Sequence, residues 1–370
     1  MKRSIQLLLL LPLLWAAGCQ KEASTPGSET TGKPGEKPVH IRTAIANPSK
    51  ATKAVILGTT IPDGFSYGLF VCNEGETDEN NKHKDNSWNL KASYKAGADG
   101  NDGKWTYQYV DNMKNGSLTP SFYDNITITA REDQKKADLY AYSPYMEGAY
   151  LSDPTAIPFS FANGSQSDLM YAVENAGTDN KGLDPLREDV ETLPAHFTFK
   201  HALALLVFEF KLKNHISSTN TSNYILKQIT VNNKKFGTSV AKLYKEGTFN
   251  AVDGSFSSDS DVNSLEVSAN NLTIQHRDDG PDGIAYLLLV PTDLEDDELE
   301  MEFNLSSTDD VKLPPFVLKK EDLKHIDGTY GFQGGYKYTF HFTLDNFLYL
   351  NGVTISDEWT EGEELTPIEI

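Results

Sequence analysis

His196-Phe197-Thr198-Phe199-Lys200-His201-Ala202-Leu203-Ala204-Leu205-Leu206-Val207-Phe208-Glu209-Phe210-Lys211-Leu212 lies near the midpoint of the chain and carries two interleaved apolar patterns. Phe197, Phe199, Leu203, Leu205 and Val207 fall on odd positions; Ala202, Ala204, Leu206, Phe208, Phe210 and Leu212 fall on even ones. Side chains on a strand alternate faces, so each parity is one face of a sheet. The apolar face therefore changes over partway along. A strand buried on both sides at its centre would read this way, and so would one that bends at a bulge and passes from one core to another. The Ala-Leu-Ala-Leu-Leu run favours a helix locally. The Phe-rich alternation at both ends and the missing cap favour a strand. The stretch reads as the seam between two β domains.

Outward from this seam, short strand signals separated by turn residues dominate. Leu299, Met301, Phe303 and Leu305 alternate with Glu300, Glu302 and Asn304, one face for a core and one for water. Tyr336, Tyr338, Phe340, Phe342 and Leu344 form the clearest period-two run, and residues 284–290 form a solid apolar run closed by Pro291. Upstream, residues 40–45, 54–57, 67–72 and 137–142 read as strands, and Trp105, Tyr107 and Tyr109 alternate. Residues 74–103 are polar and rich in Asn, Asp and Gly, and read as mostly surface excursion. Helical periodicity is scarce, apart from a turn at residues 321–325. Many short strands of this kind predict an all-β chain of tandem β-sandwiches.

The N-terminus predicts export. Lys2 and Arg3 precede an apolar run over residues 5–17 that is too short to span a bilayer comfortably and reads as a signal-peptide core. Ala16-Ala17-Gly18 directly before Cys19 resembles a bacterial lipobox, with Ala16 in place of the commoner Leu, and implies cleavage before Cys19 and acylation of its thiol; the alternative is an ordinary signal peptide with a chance cysteine. Residues 20–38 hold no large apolar side chain and read as a flexible tether. The expected organisation is therefore a lipoprotein signal peptide (1–18), a disordered tether (19–39), an N-terminal β-sandwich domain (40–194) and a C-terminal one (195–370). Cys72 is the only other cysteine, so a lipidated Cys19 leaves no intramolecular disulfide. The formal charge of −20 argues against nucleic acid as a partner.

No pattern for catalysis emerges. The eight histidines are scattered, without H-x-H, H-E-x-x-H or a Cys/His cluster. His201 and His341 sit in strand patterns and read as hydrogen-bonded structural residues. Asp278-Asp279-Gly280-Pro281-Asp282-Gly283 offers oxygen ligands but lacks EF-hand spacing, so it reads as a solvated turn. No catalytic, cofactor-binding or metal-binding residue is assigned, and the chain is expected not to be an enzyme. Trp88, Trp105 and Tyr107 beside the polar excursion could form an aromatic platform for a sugar, although core or rim packing of these rings fits as well.

Several pieces, taken in order, resemble the fimbrillin family of Bacteroides-type bacteria, the lipoprotein-derived type V pilins. They are the lipobox with its tether, Ser49-Lys50-Ala51-Thr52-Lys53-Ala54, residues 64–70 and Asp138-Leu139-Tyr140-Ala141-Tyr142-Ser143-Pro144-Tyr145. They continue with Asp168-Leu169-Met170-Tyr171-Ala172, Phe199-Lys200-His201-Ala202-Leu203-Ala204, residues 336–342 and Ile355-Ser356-Asp357-Glu358-Trp359. The resemblance implies two transthyretin-like β-sandwiches and a pilus subunit or accessory component acting in cell adhesion. It implies transport to the outer membrane and cell surface, and a trypsin-like protease that cuts beyond the first strand. A strand from another pilin subunit then fills the groove that is left. On this chain the first strand is about residues 40–45 and the cut follows Lys50 or Lys53. The family favours arginine there, and Arg42, the only one nearby, lies inside the strand. Residues 350–370 could supply a donor strand or be the last strand of their own sandwich. The alternative is a monomeric surface lipoprotein that holds a glycan or host ligand.

Overall fold

A computed structural model describes residues 36–39, 41–45, 61, 63–77, 80, 82, 88–96, 104–109, 121–123, 126–129, 136–146, 151, 153–161, 166–173, 195–213, 224–233, 242–258, 261–277, 279–294, 299–306, 315–345, 347–356 and 359. The chain is all-β. The strands of its N-terminal half are β1 (Glu36–Val39), β2 (Ile41–Ile45), β3 (Ser66–Asn73), β4 (Leu90–Lys95), β5 (Lys104–Tyr109), β6 (Ser121–Tyr123), β7 (Ile126–Thr129), β8 (Ala137–Ser143), β9 (Ile157–Ser160), β10 (Met170–Val173) and β11 (Ala195–His201). The C-terminal half adds β12 (Ala204–Leu212), β13 (Tyr224–Asn233), β14 (Glu246–Phe249), β15 (Phe256–Ser257), β16 (Ser264–Ile274), β17 (Gly283–Leu289), β18 (Leu299–Ser306), β19 (Phe316–Leu318), β20 (Lys337–Leu344) and β21 (Leu348–Ser356). The turn expected at residues 321–325 is a 3-10 helix, Lys320–Leu323.

The seam breaks at Ala202 and Leu203, between β11 and β12, and each parity goes to a different core. Phe197 and Phe199 enter the core of the N-terminal sheet. Ala204, Leu206, Phe208 and Phe210 enter the core of the C-terminal sandwich. Leu203, Leu205 and Val207 enter a third core, at the junction of the two halves. The crossing of apolar faces thus reflects both expectations: a bend that passes the chain between cores, followed by a strand buried on both sides.

The C-terminal sandwich pairs a sheet of order β17-β12-β20-β21 with one of order β16-β13-β18-β19. Its core takes the alternate residues Met301, Phe303 and Leu305 of β18 and Tyr338, Phe340 and Phe342 of β20, as their period-two pattern requires. Glu302 and Asn304 face water. The N-terminal half is built on an eight-stranded sheet of order β2-β11-β10-β8-β3-β4-β5-β6. Its central strands β3 and β8 are buried along almost their whole length because both faces of the sheet are covered. Tyr67, Leu69, Val71, Leu139 and Ala141 serve one core, and Phe70, Cys72, Tyr140 and Tyr142 serve the junction.

Two features bind the halves together. Strand β9 pairs antiparallel with β14, which pairs with β15, so a small sheet draws strands from both sides of the seam. The buried Gln166 side chain donates to Leu288 O at 2.6 Å and accepts from Leu288 N at 2.8 Å. A single amide thus satisfies a peptide group of β17 as a neighbouring strand would. Gln166→Ala strands both Leu288 groups in a buried setting and is expected to cost about 2–4 kcal/mol, read as a lowered midpoint in denaturant unfolding.

Two strands lie in stretches that the sequence reads as polar. Within residues 74–103, expected as mostly surface excursion, Leu90–Lys95 is a strand of the large sheet, between β3 and β5. Glu36–Val39, inside the stretch expected as tether, pair antiparallel with β7.

Candidate functional site

One edge of the large sheet is formed by β2, the strand that the sequence reads as the first of the chain. Strand β2 closes that edge and, among the described residues, pairs only with β11, in parallel, in the register Ala195 with Ile41, Phe197 with Thr43 and Phe199 with Ile45. Phe197 and Phe199 are almost wholly buried, and Phe199 meets Phe65 and Tyr67 at ring separations of 5.7 and 5.3 Å. The strand next to β2 is therefore a core strand. If β2 leaves, the outer N–H and C=O groups of β11 lose their partners beside an aromatic core, the arrangement that templates addition of another strand. Strand β1 lies one residue before β2 and pairs with β7. A single cut beyond β2 would remove both.

Lys50 and Lys53, the expected cleavage residues, lie between β2 and β3 but outside the described residues, as does Cys19. Arg42 is inside β2, in register with His196. A cut after Arg42 would divide the strand rather than release it.

At the other end of the chain, β21 pairs with β20 from Leu348 to Ser356. Residues 348–356 are thus a strand of their own sandwich. Beyond it, Trp359 is 1% exposed and enters the junction core. Its indole stacks on the His201 imidazole, with centroids 3.7 Å apart and planes at 16°. His201 Nδ1 is 2.9 Å from Asp168 Oδ2, and both side chains are buried. Three sequence pieces that are far apart in the chain, around Asp168, His201 and Trp359, meet at this point. Sequence reasoning took His201 as a hydrogen-bonded structural residue but did not find its partners. The signal was there in the polar Asp168 beside an apolar run and the lone Trp359 after the final strand.

The other polar candidates are structural. Asp282, expected in a solvated turn, is buried and accepts from Leu212 N at 2.6 Å and Arg277 N at 2.7 Å, which ties the end of β12 to the loop before β17. His341 bridges strands through Glu209 Oε2 at 2.8 Å and Thr354 Oγ1 at 3.0 Å. Among the described residues no group of three or more His, Cys, Asp or Glu is placed to hold a metal ion. The aromatic platform does not form. Trp88 and Tyr107 are buried, and Trp88 Nε1 donates to Leu151 O at 2.8 Å. Burial pushes the Tyr107 hydroxyl up to about 12, partly offset by its hydrogen bond with Tyr67. Trp105 packs among Phe65, Tyr67 and Tyr94.

The family described as fimbrillin-like matches residues 52–359. Among solved structures, a candidate cell adhesion protein of Bacteroides uniformis shares 17% identity at a TM-score of 0.51, covering 87% of this chain and 98% of that one. A second, from Bacteroides ovatus, shares 18% at a TM-score of 0.49, with 88% and 99% covered. No protein of curated function matches the chain.

Proposed function

Since the chain belongs to the fimbrillin-like family, we propose that it is a structural, non-enzymatic subunit or accessory component of a bacterial surface pilus that supports cell adhesion. In this reading it is exported as a lipoprotein acylated at Cys19 and reaches the outer membrane. A trypsin-like protease cuts after Lys50 or Lys53 and removes β1 and β2 together. A strand from another pilin subunit then takes the place of β2 against β11.

The observation that carries the reading is the position of β2. Among the described residues it is a short edge strand held on one side, parallel to a core strand, and basic residues follow it before β3 begins. Strand addition fits the physics: backbone hydrogen bonds restore the edge, and apolar residues of the incoming strand cover the exposed core. Residues 348–356 are already engaged in their own sheet, so a donor taken from the C-terminal region would come from beyond Trp359.

The test is limited trypsin treatment of the purified chain, followed by denaturing electrophoresis with and without heating. The wild-type chain is expected to give heat-labile ladders after the cut and none before it. Lys50→Gln combined with Lys53→Gln is expected to keep the N-terminal strands and remain monomeric. A cleaved chain that stays monomeric overturns strand exchange.

A further inference from the structure

We propose that Phe347 and Tyr349 form an aromatic platform on the C-terminal sandwich that binds an uncharged carbohydrate. The platform follows from how one sheet face changes along its length. On β12, Leu205 and Val207 enter the junction core. From Glu209 onward the same parity turns polar, as Glu209, Lys211 and Lys213, and this distal part of the face meets solvent. Cross-strand register extends it: Lys211 pairs with Thr343 of β20, and Thr343 with Tyr349 of β21, so their side chains share the face. Tyr349 is 47% exposed and Phe347 is 55% exposed. Their ring centroids lie 6.3 Å apart with planes at 75°. The two rings make an open aromatic corner.

Three observations identify the occupant. First, the corner is held in place within the chain. Asp345 N donates to Phe347 O at 3.0 Å and closes the turn between β20 and β21. Lys213 Nζ stands 5.7 Å from the Tyr349 ring centroid and 3.2 Å from Asp345 Oδ2. Second, the polar groups beside the rings suit hydroxyls. Asn351 Nδ2 donates to Thr343 Oγ1 at 2.8 Å, and an amide with a hydroxyl supplies both donors and acceptors to a ligand. The lysines on this face are matched by carboxylates, Lys213 by Asp345 and Lys211 by Asp282 at 3.5 Å. In a chain of formal charge −20, that leaves no surplus of positive charge to draw an anionic ligand. Third, the size is that of a sugar. The open ring surface is about 200 Å² in all, well short of the roughly 800 Å² that each partner gives to a standard protein interface. The apolar C–H face of one pyranose covers one aromatic ring, and its hydroxyls reach the polar groups alongside.

The experiment passes the full, uncleaved chain over immobilised neutral oligosaccharides of hexoses, N-acetylhexosamines and fucose, with acidic and sulfated ones alongside. The wild-type chain is expected to bind a neutral oligosaccharide, with an affinity that added salt leaves unchanged. Phe347→Ala combined with Tyr349→Ala is expected to weaken binding about tenfold or more, with the fold checked by circular dichroism. Tyr349→Phe keeps the ring and is expected to bind like the wild type. Phe347→Ala alone is expected to weaken binding about threefold, which keeps the test open should the double variant misfold. Binding to none of the neutral oligosaccharides, binding to acidic ones alone, or an unchanged affinity in the folded double variant overturns the site. Self-association of the wild-type chain that the double variant abolishes also overturns it, and assigns the rings to a second copy of the chain. The inference goes beyond the pilus reading and does not rest on strand exchange: the platform can hold in uncleaved protein while trypsin-treated protein forms no ladders, and can fail while ladders form.

Discussion

Gly68→Ala is expected to destabilise the N-terminal half by about 3 kcal/mol or more, through overpacking in a core with no room to yield. Gly68 lies in β3 opposite Tyr142 of β8. A Cβ built there would run into the Tyr142 ring at Cε1 and Cζ. The ring cannot swing aside cheaply. It is fully buried, stacks on Phe70 at 5.9 Å and donates its hydroxyl hydrogen to Asn89 Oδ1 at 3.0 Å. That burial also pushes the Tyr142 hydroxyl well above its ordinary range. Chemical denaturation with circular dichroism would measure the loss. If the clash is the cause, Gly68→Ala in a Tyr142→Leu background will cost much less than in the wild type, a coupling that a double-mutant cycle isolates. Equal costs in the two backgrounds would place the defect elsewhere.

Phe208→Ala is expected to cost about 3–5 kcal/mol, the range for deleting a buried aromatic ring from a well-packed core. Phe208 has no exposed surface. It stacks on Phe340 at 5.3 Å and meets Phe303 edge-on at 5.4 Å, so its removal opens a void between the two sheets of the C-terminal sandwich. Phe208 sits on β12, whose opposite face feeds the junction core through Leu205 and Val207. The damage should therefore reach the other half, and the two halves should lose structure together in a thermal scan. A loss below about 1 kcal/mol would mean that the core can close over the missing ring.

The seam shows how much was legible in the sequence. Strand periodicity in residues 196–212 was clear because large apolar residues mark both parities. The split of those parities among three cores could be read only as two open alternatives. Alternation also marked β18 and β20, where one face is wet. It failed at β4, whose core residues Leu90 and Ala92 are few and sit in a polar neighbourhood; Ala92 is fully buried yet weakly apolar. The β9-β14-β15 sheet left no signal because its strands are two to four residues long and come from distant segments. For the site, the lysines after β2 were visible as residue types, and the edge position of β2 required the pairing with β11. The Trp359 seat required three contacts between separate segments, and no local pattern encodes those.

The decisive measurement is the N-terminal sequence of this protein recovered from surface pili. A start at Ala51 or Ala54 is the expected result: it places the cut after Lys50 or Lys53 and means that both β1 and β2 have left the assembled subunit. A start at acylated Cys19, with β1 and β2 still attached, would contradict strand removal and leave the chain as an anchored, unprocessed lipoprotein.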